Sequence, residues 1–158
     1  SFYNISNYFP DWNLKIIGQG QLKNEITKVI KKLKLQKRVI IQNNTTDIFH
    51  EYKKASIFVL PSKIESMGLA ALEAMSVGLP VIGFSYCEGL REFLNNKNGL
   101  LINCNHNESV NKLSKTLKRL IKDKKLRNKL SSQAKKFTNN KAQNKKVYDS
   151  WEKLLTSC

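Results

Sequence analysis

Between Leu14 and Ile102 the chain alternates short apolar runs with stretches whose apolar residues recur every three or four positions. Leu14 to Gly18 reads as a strand closed by a glycine, and Leu22, Ile26, Val29, Ile30 and Leu33 then follow at helical spacing. Val39 to Gln42 predicts a second strand, Asp47 to Lys54 a short helix, and Ile57 to Leu60 a buried strand ahead of Pro61. Leu69 to Val77 is helical, Pro80 to Phe84 is an apolar strand bounded by Gly78 and Ser85, and Gly99 to Ile102 is one more short strand. Parallel strands need crossovers, and the right-handed crossover is a helix. The alternation therefore predicts an α/β fold, a Rossmann-like parallel sheet with helices on both faces.

From Asn107 the strands stop. Val110, Leu113, Leu117, Leu120 and Ile121 predict an amphipathic helix capped by Asn107, and Leu126, Leu130 and Ala134 continue as another. A last helix near Ala142 to Leu155 places Val147, Tyr148, Trp151, Leu154 and Leu155 on one face, which needs a partner surface. At the start, Phe2, Ile5, Tyr8 and Phe9 resemble the end of a helix whose preceding strand is missing, so residues 1–158 read as a domain truncated at its N-terminus.

The length of 158 residues fits a single domain with one core. An apolar fraction of 41% is ordinary for a globular fold, and no run approaches the roughly 18 apolar residues that span a bilayer. Ser1 to Asp11 lacks the basic-then-apolar order of a signal peptide, which makes a cytoplasmic location the expectation. Cys87, Cys104 and Cys158 are too few and too scattered for a disulfide framework or a metal site and read as reduced and incidental. The net charge of +16 is uneven: residues 111–158 carry fifteen Lys/Arg against three Asp/Glu. Solvated helix faces account for such a tail, and so would attraction to anionic lipid or to nucleic-acid phosphates.

Candidate chemistry concentrates where charge thins out. Among the twenty-two residues between Glu65 and Glu88 a single side chain, Glu73, is charged, in a protein that is 25% charged. The helix around it is apolar nearly all round, which predicts burial of Glu73 and therefore partners, from the protein or from ligand hydroxyls such as those of a sugar or ribose. The alternative is a carboxylate held by the helix dipole and one hydrogen bond, serving stability alone. Glu65 lies on the loop Ser62-Lys-Ile-Glu-Ser-Met-Gly68 leaving the carboxyl end of a strand, where ligands bind in open α/β sheets. Gly68 permits close backbone approach, and the first amides of the helix, near Met67 to Ala70, form a cradle suited to a diphosphate. A plain strand-to-helix turn is the other reading of that loop.

Read as one string, Pro61 to Ile82 closely resembles the donor-site signature of retaining glycosyltransferases with the GT-B fold. Pro-Ser, a Glu, seven residues, Glu-Ala-Met and then Gly-x-Pro-Val all stand in order and spacing. Gly18-Gln-Gly20 looks like the family's donor-side glycine loop, and Gly89 to Leu101 resembles its Gly-x-x-Glu and Asn-Gly-Leu-Leu segments; residues 10–135 are covered in all. The resemblance implies a transferase that moves a hexose or related sugar from a nucleotide diphosphate sugar, with UDP the foremost nucleotide, to a glycan or lipid-linked acceptor with retention. No cofactor and no metal are implied. By the same resemblance Glu65 is the catalytic-site carboxylate that binds sugar hydroxyls, Glu73 binds the ribose, the backbone of Met67, Gly68 and Leu69 holds the diphosphate, and Ser66 belongs to the same donor-binding loop. Gly18 and Gly20 line the cleft, and Gln42 to Thr45 lie where the family seats the base. Ser66-Met67 stand where Gly-Phe is usual, a departure that bears on sugar specificity.

The family's diphosphate-clamping Arg and Lys precede the region where this chain begins, and so does its acceptor-binding domain. The chain is accordingly expected to be the donor-binding half, inactive alone, partnered by the N-terminal domain of the same enzyme and peripherally by an anionic membrane, with no nucleic acid. His50 and His106 read as surface residues, and the chain has neither a phosphate-binding Gly-Lys-Ser/Thr loop nor a Ser/His/Asp arrangement. The competing readings are a GT-B-like sugar phosphorylase or epimerase and a basic nucleic-acid-binding module.

Overall fold

The computed structural model describes residues 1–140; the expected helix at 142–155 and Cys158 lie outside the described residues. Strands β1 (Leu14–Ile17) and β2 (Val39–Gln42) pair in parallel, and β3 (Phe58–Val59), β4 (Val81–Phe84) and β5 (Leu100–Ile102) form a second parallel sheet in that order. The expected single sheet is thus resolved into a pair and a triplet. Helix α2 (Lys23–Lys32) crosses from β1 to β2, α3 (Ile48–Lys54) from β2 to β3, and α4 (Leu69–Ser76) from β3 to β4. Hydrogen bonds extend the ladders past their formal ends: Gly18 N donates to Gln42 O at 3.0 Å, and Leu60 N donates to Ile82 O at 3.0 Å.

Strand β4 organises the core. All four of its residues are buried, as expected of a strand covered on both faces. Val81 packs with Ala71, Ala74 and Met75 of α4 and with Leu90 and Leu94. Ile82 and Phe84 point the other way, toward Leu113 and Leu120 of α6 (Ser109–Lys122) and Leu130 of α7 (Lys124–Thr138). Period-two alternation thus distributes one strand between two helical layers, each fully buried side chain contributing about 1.5–3 kcal/mol. Helices on both faces of this sheet confirm the α/β expectation.

Two elements escaped the pattern. A four-residue helix, α5 (Glu88–Arg91), follows β4, and its Leu90 is fully buried. The cap expected from Asn107 is supplied instead by Asn105, whose side chain accepts from Glu108 N at 3.2 Å and opens a 3-10 turn over His106–Glu108 before α6. The N-terminal residues, with helix α1 (Tyr3–Ser6), are tied down by Arg38. Its guanidinium donates to Phe9 O at 2.7 Å, to Trp12 O and to Asn13 Oδ1. Ser114 Oγ of α6 donates to Ser1 O at 3.1 Å and closes the same corner.

Candidate functional site

Loop 60–68 leaves β3 at its carboxyl end and delivers the chain to α4, whose N-cap is Gly68 at φ +60°, ψ +38°. That left-handed conformation favours glycine, and a β-carbon here would lie 2.8 Å from Leu90 Cδ2 and 3.3 Å from the Phe93 ring. The close approach Gly68 permits is therefore that of the protein's own α5 segment. Gly89 serves the same packing from the other side. Its N–H donates to Glu65 O at 3.2 Å, and a β-carbon on it would stand 2.4 Å from that oxygen and 2.6 Å from Ser66 O. The loop carrying Glu65 thus rests on α5 at Gly89, where a side chain would meet backbone, and at Gly68, whose left-handed backbone disfavours one.

Above that base the loop is open. Ile64, Met67 and Leu69 are exposed, and among the described residues no acceptor engages the N–H groups of Met67, Leu69 and Ala70. Ala71 and Leu72 already donate back to Gly68 O, so the free amides of Leu69 and Ala70 are those of the first helical turn, where the dipole is positive, and that of Met67 lies just before the cap.

Each carboxylate is held at one oxygen and open at the other. Ser62 Oγ donates to Glu65 Oε1 at 2.7 Å, a hydrogen bond formed within the loop. Tyr52 Oη donates to Glu73 Oε2 at 3.2 Å, a contact between α3 and α4. Neither Glu65 Oε2 nor Glu73 Oε1 has a donor from the described residues. Glu73 is half-buried rather than enclosed, which corrects the burial expected from its apolar helix. Helix α4 buries only the stripe Ala71, Ala74 and Met75, and leaves Leu69 and Glu73 on the accessible side. Tyr52, at 6% exposure, is the buried member of the pair, and burial together with the Glu73 charge pushes its hydroxyl up to about 12. It remains a proton donor at any working pH.

The expected glycines belong to the other sheet. Gly18 follows β1 and is partly exposed, Gly20 is exposed, and a β-carbon at either would meet nothing within 4 Å. Both stand at the carboxyl end of β1, as Glu65 does for β3, but no hydrogen bond joins the two groups. In the stretch after β2, Asn43 Oδ1 accepts from Lys23 Nζ at 2.8 Å, linking that loop to the start of α2. His50 and His106 are exposed, and no hydrogen bond joins either to Glu65 or Glu73; the His106 ring lies 4.2 Å from that of Tyr86. Among the described residues no three His, Cys, Asp or Glu side chains gather as a metal site, and no helix is long and apolar enough to cross a membrane. Sequence reasoning missed Tyr52, which belongs to no motif, and the contact of Gly89, which shows in the sequence only as a motif glycine.

Parallel strands with helices on both faces, and a strand-end loop feeding the free amides of a helix, define an α/β domain of the type that binds ligands at its strand ends. The model of glycosyl transferases group 1 matches residues 2–137, and the chain belongs to that family; its fold is that of GT-B glycosyltransferase C-terminal domains. An uncharacterized glycosyltransferase of Haemophilus influenzae is 30% identical over 152 residues, 96% of this chain and 42% of that protein. The poly(glycerol-phosphate) alpha-glucosyltransferase of Bacillus subtilis is 31% identical over 135 residues, 85% of this chain and 20% of that one. Among solved structures, a mutant of TarM from S. aureus in complex with fondaparinux, alpha-GlcNAc-glycerol and UDP superposes with a TM-score of 0.87 at 27% identity, covering 96% of this chain and 30% of that one. The chain thus spans less than half the length of these proteins.

Proposed function

We propose that this chain is the donor-binding half of a retaining glycosyltransferase that moves a hexose or related sugar from a nucleotide diphosphate sugar to a glycan or lipid-linked acceptor. The observation that carries the reading is the pairing of Glu65 and Glu73, each fixed at one oxygen and open at the other, on either side of the unengaged amides of Met67, Leu69 and Ala70. In this reading the Glu65 carboxylate accepts hydroxyls of the donor sugar, Glu73 accepts hydroxyls of the ribose, and the amides from Met67 to Leu69 face the diphosphate. When the anomeric C–O bond breaks, negative charge passes to the leaving diphosphate. Helix-end amides meet that charge where it develops, which is the arrangement that lowers a barrier rather than merely binding substrate. Gly18 and Gly20 border the same cleft. UDP is the nucleotide of choice, since it is the one bound in the similar TarM complex.

The acceptor and the remaining diphosphate contacts come from the N-terminal domain of the whole enzyme, so this half transfers nothing alone. The basic helices α6 and α7 set the enzyme peripherally against an anionic membrane on its cytoplasmic side. In the full-length enzyme Glu65→Gln is expected to lower sugar transfer about ten- to a hundredfold, the worth of hydrogen bonds to a charged group, while UDP affinity stays within about twofold. Unchanged transfer, or an equal loss of UDP binding, would remove Glu65 from the sugar subsite.

A further inference from the structure

Tyr52 belongs to no motif, yet its hydroxyl reaches the carboxylate at the centre of the site. We infer that Tyr52 is a positioning residue for nucleotide recognition, holding Oε2 of Glu73 so that Oε1 is presented to the ribose hydroxyls. The inference rests on the reading of Glu73 given above and extends it to an element outside the signature.

Three features support it. The Tyr52 ring is fixed, packed edge-to-face against Phe49 at 6.1 Å and 88° and against Phe58 at 5.5 Å and 86°. Its helix is anchored in turn, because Asp47 Oδ1 caps α3 by accepting from His50 N at 3.0 Å. Glu73, by contrast, is only half-buried and has three side-chain torsions, so without a fixed donor its carboxylate would sample several rotamers on the accessible side of α4. One hydrogen bond of 3.2 Å from a ring that cannot swing removes that freedom before the ligand arrives. A purely structural role has the opposite logic. There Glu73 would exist to satisfy a buried phenol, and the orientation of its free oxygen would not matter.

The two roles separate by ligand chemistry. In the full-length enzyme, wild type, Tyr52→Phe and Glu73→Gln are titrated with UDP and its 2′,3′-dideoxy analogue, and with the corresponding GDP pair. Tyr52→Phe keeps the ring and its packing, and a thermal melt confirms the fold. Positioning requires that Tyr52→Phe weaken the ribonucleotide about fivefold, the usual worth of one hydrogen bond, and leave the dideoxy nucleotide within about twofold, since that ligand offers Glu73 no hydroxyl. Equal losses for both ligands, or no loss for either, would overturn the role of Tyr52. If Glu73→Gln also failed to change the ratio of the two affinities, the assignment of Glu73 to the ribose would fall, a failure distinct from the first. If neither nucleotide bound the wild type, both would fall together.

Discussion

Glu65 and Glu73 reach similar arrangements by different routes. Glu65 is fixed locally, by a serine three residues earlier in its own loop, whereas Glu73 depends on a tyrosine twenty-one residues upstream that only packing of α3 against α4 brings near. The loop itself rests on Gly89, whose hydrogen atom in place of a side chain lets the carbonyls of Glu65 and Ser66 lie against α5. Gly89→Ala puts a methyl group where those oxygens stand, so the loop must lift. The expected outcome is a loss of about 1–3 kcal/mol in unfolding free energy, the usual cost of overpacking, together with a fall in sugar transfer as Glu65 leaves its place. A melt and a transfer assay that both matched wild type would show that the loop does not need this contact.

Strands and long helices were legible because their patterns are periodic and local: β4 stands out as an apolar run between Gly78 and Ser85, and α6 as a stripe of Leu113, Leu117 and Leu120. What failed was shorter or tertiary. Helix α5 has four residues, too few for a period to show, and the cap before α6 fell on Asn105 because a 3-10 turn intervenes. Glu73 is partly exposed where a helix apolar nearly all round predicts burial on both sides. Alanines at positions 71 and 74 let one side of α4 sit tightly on the core, while Leu69, Glu73 and Ser76 stay accessible. The candidate site was legible as a spaced pair of acids and a glycine-led helix. Tyr52 and the packing of Gly89 against the Glu65 loop were not, since contacts between distant segments leave no spacing to read.

At the scale of the molecule, positive charge gathers on the two long helices that follow the last strand. Helices α6 and α7 expose Lys115, Lys118, Arg119, Lys122, Lys124, Lys125 and Lys129, and among the described residues only Lys112 of these two helices forms an ion pair, with Glu108 at 3.1 Å. With about 1 kcal/mol for each such cation near an anionic bilayer, the full-length enzyme is expected to float with vesicles containing phosphatidylglycerol and not with pure phosphatidylcholine, and to be released by salt. Equal flotation with both, or none with either, would mean that these helices are merely solvated.

The central claim, that Glu73 and the loop from Glu65 to Leu69 form a nucleotide-sugar site, is tested most directly by calorimetric titration of the full-length enzyme with UDP, GDP and UDP-sugars, in wild type and in Glu73→Ala. The expected result is binding of one diphosphate nucleotide, UDP first, weakened about tenfold or more by Glu73→Ala, as befits removal of a charged acceptor. Nucleotide binding of wild-type strength in Glu73→Ala would contradict it.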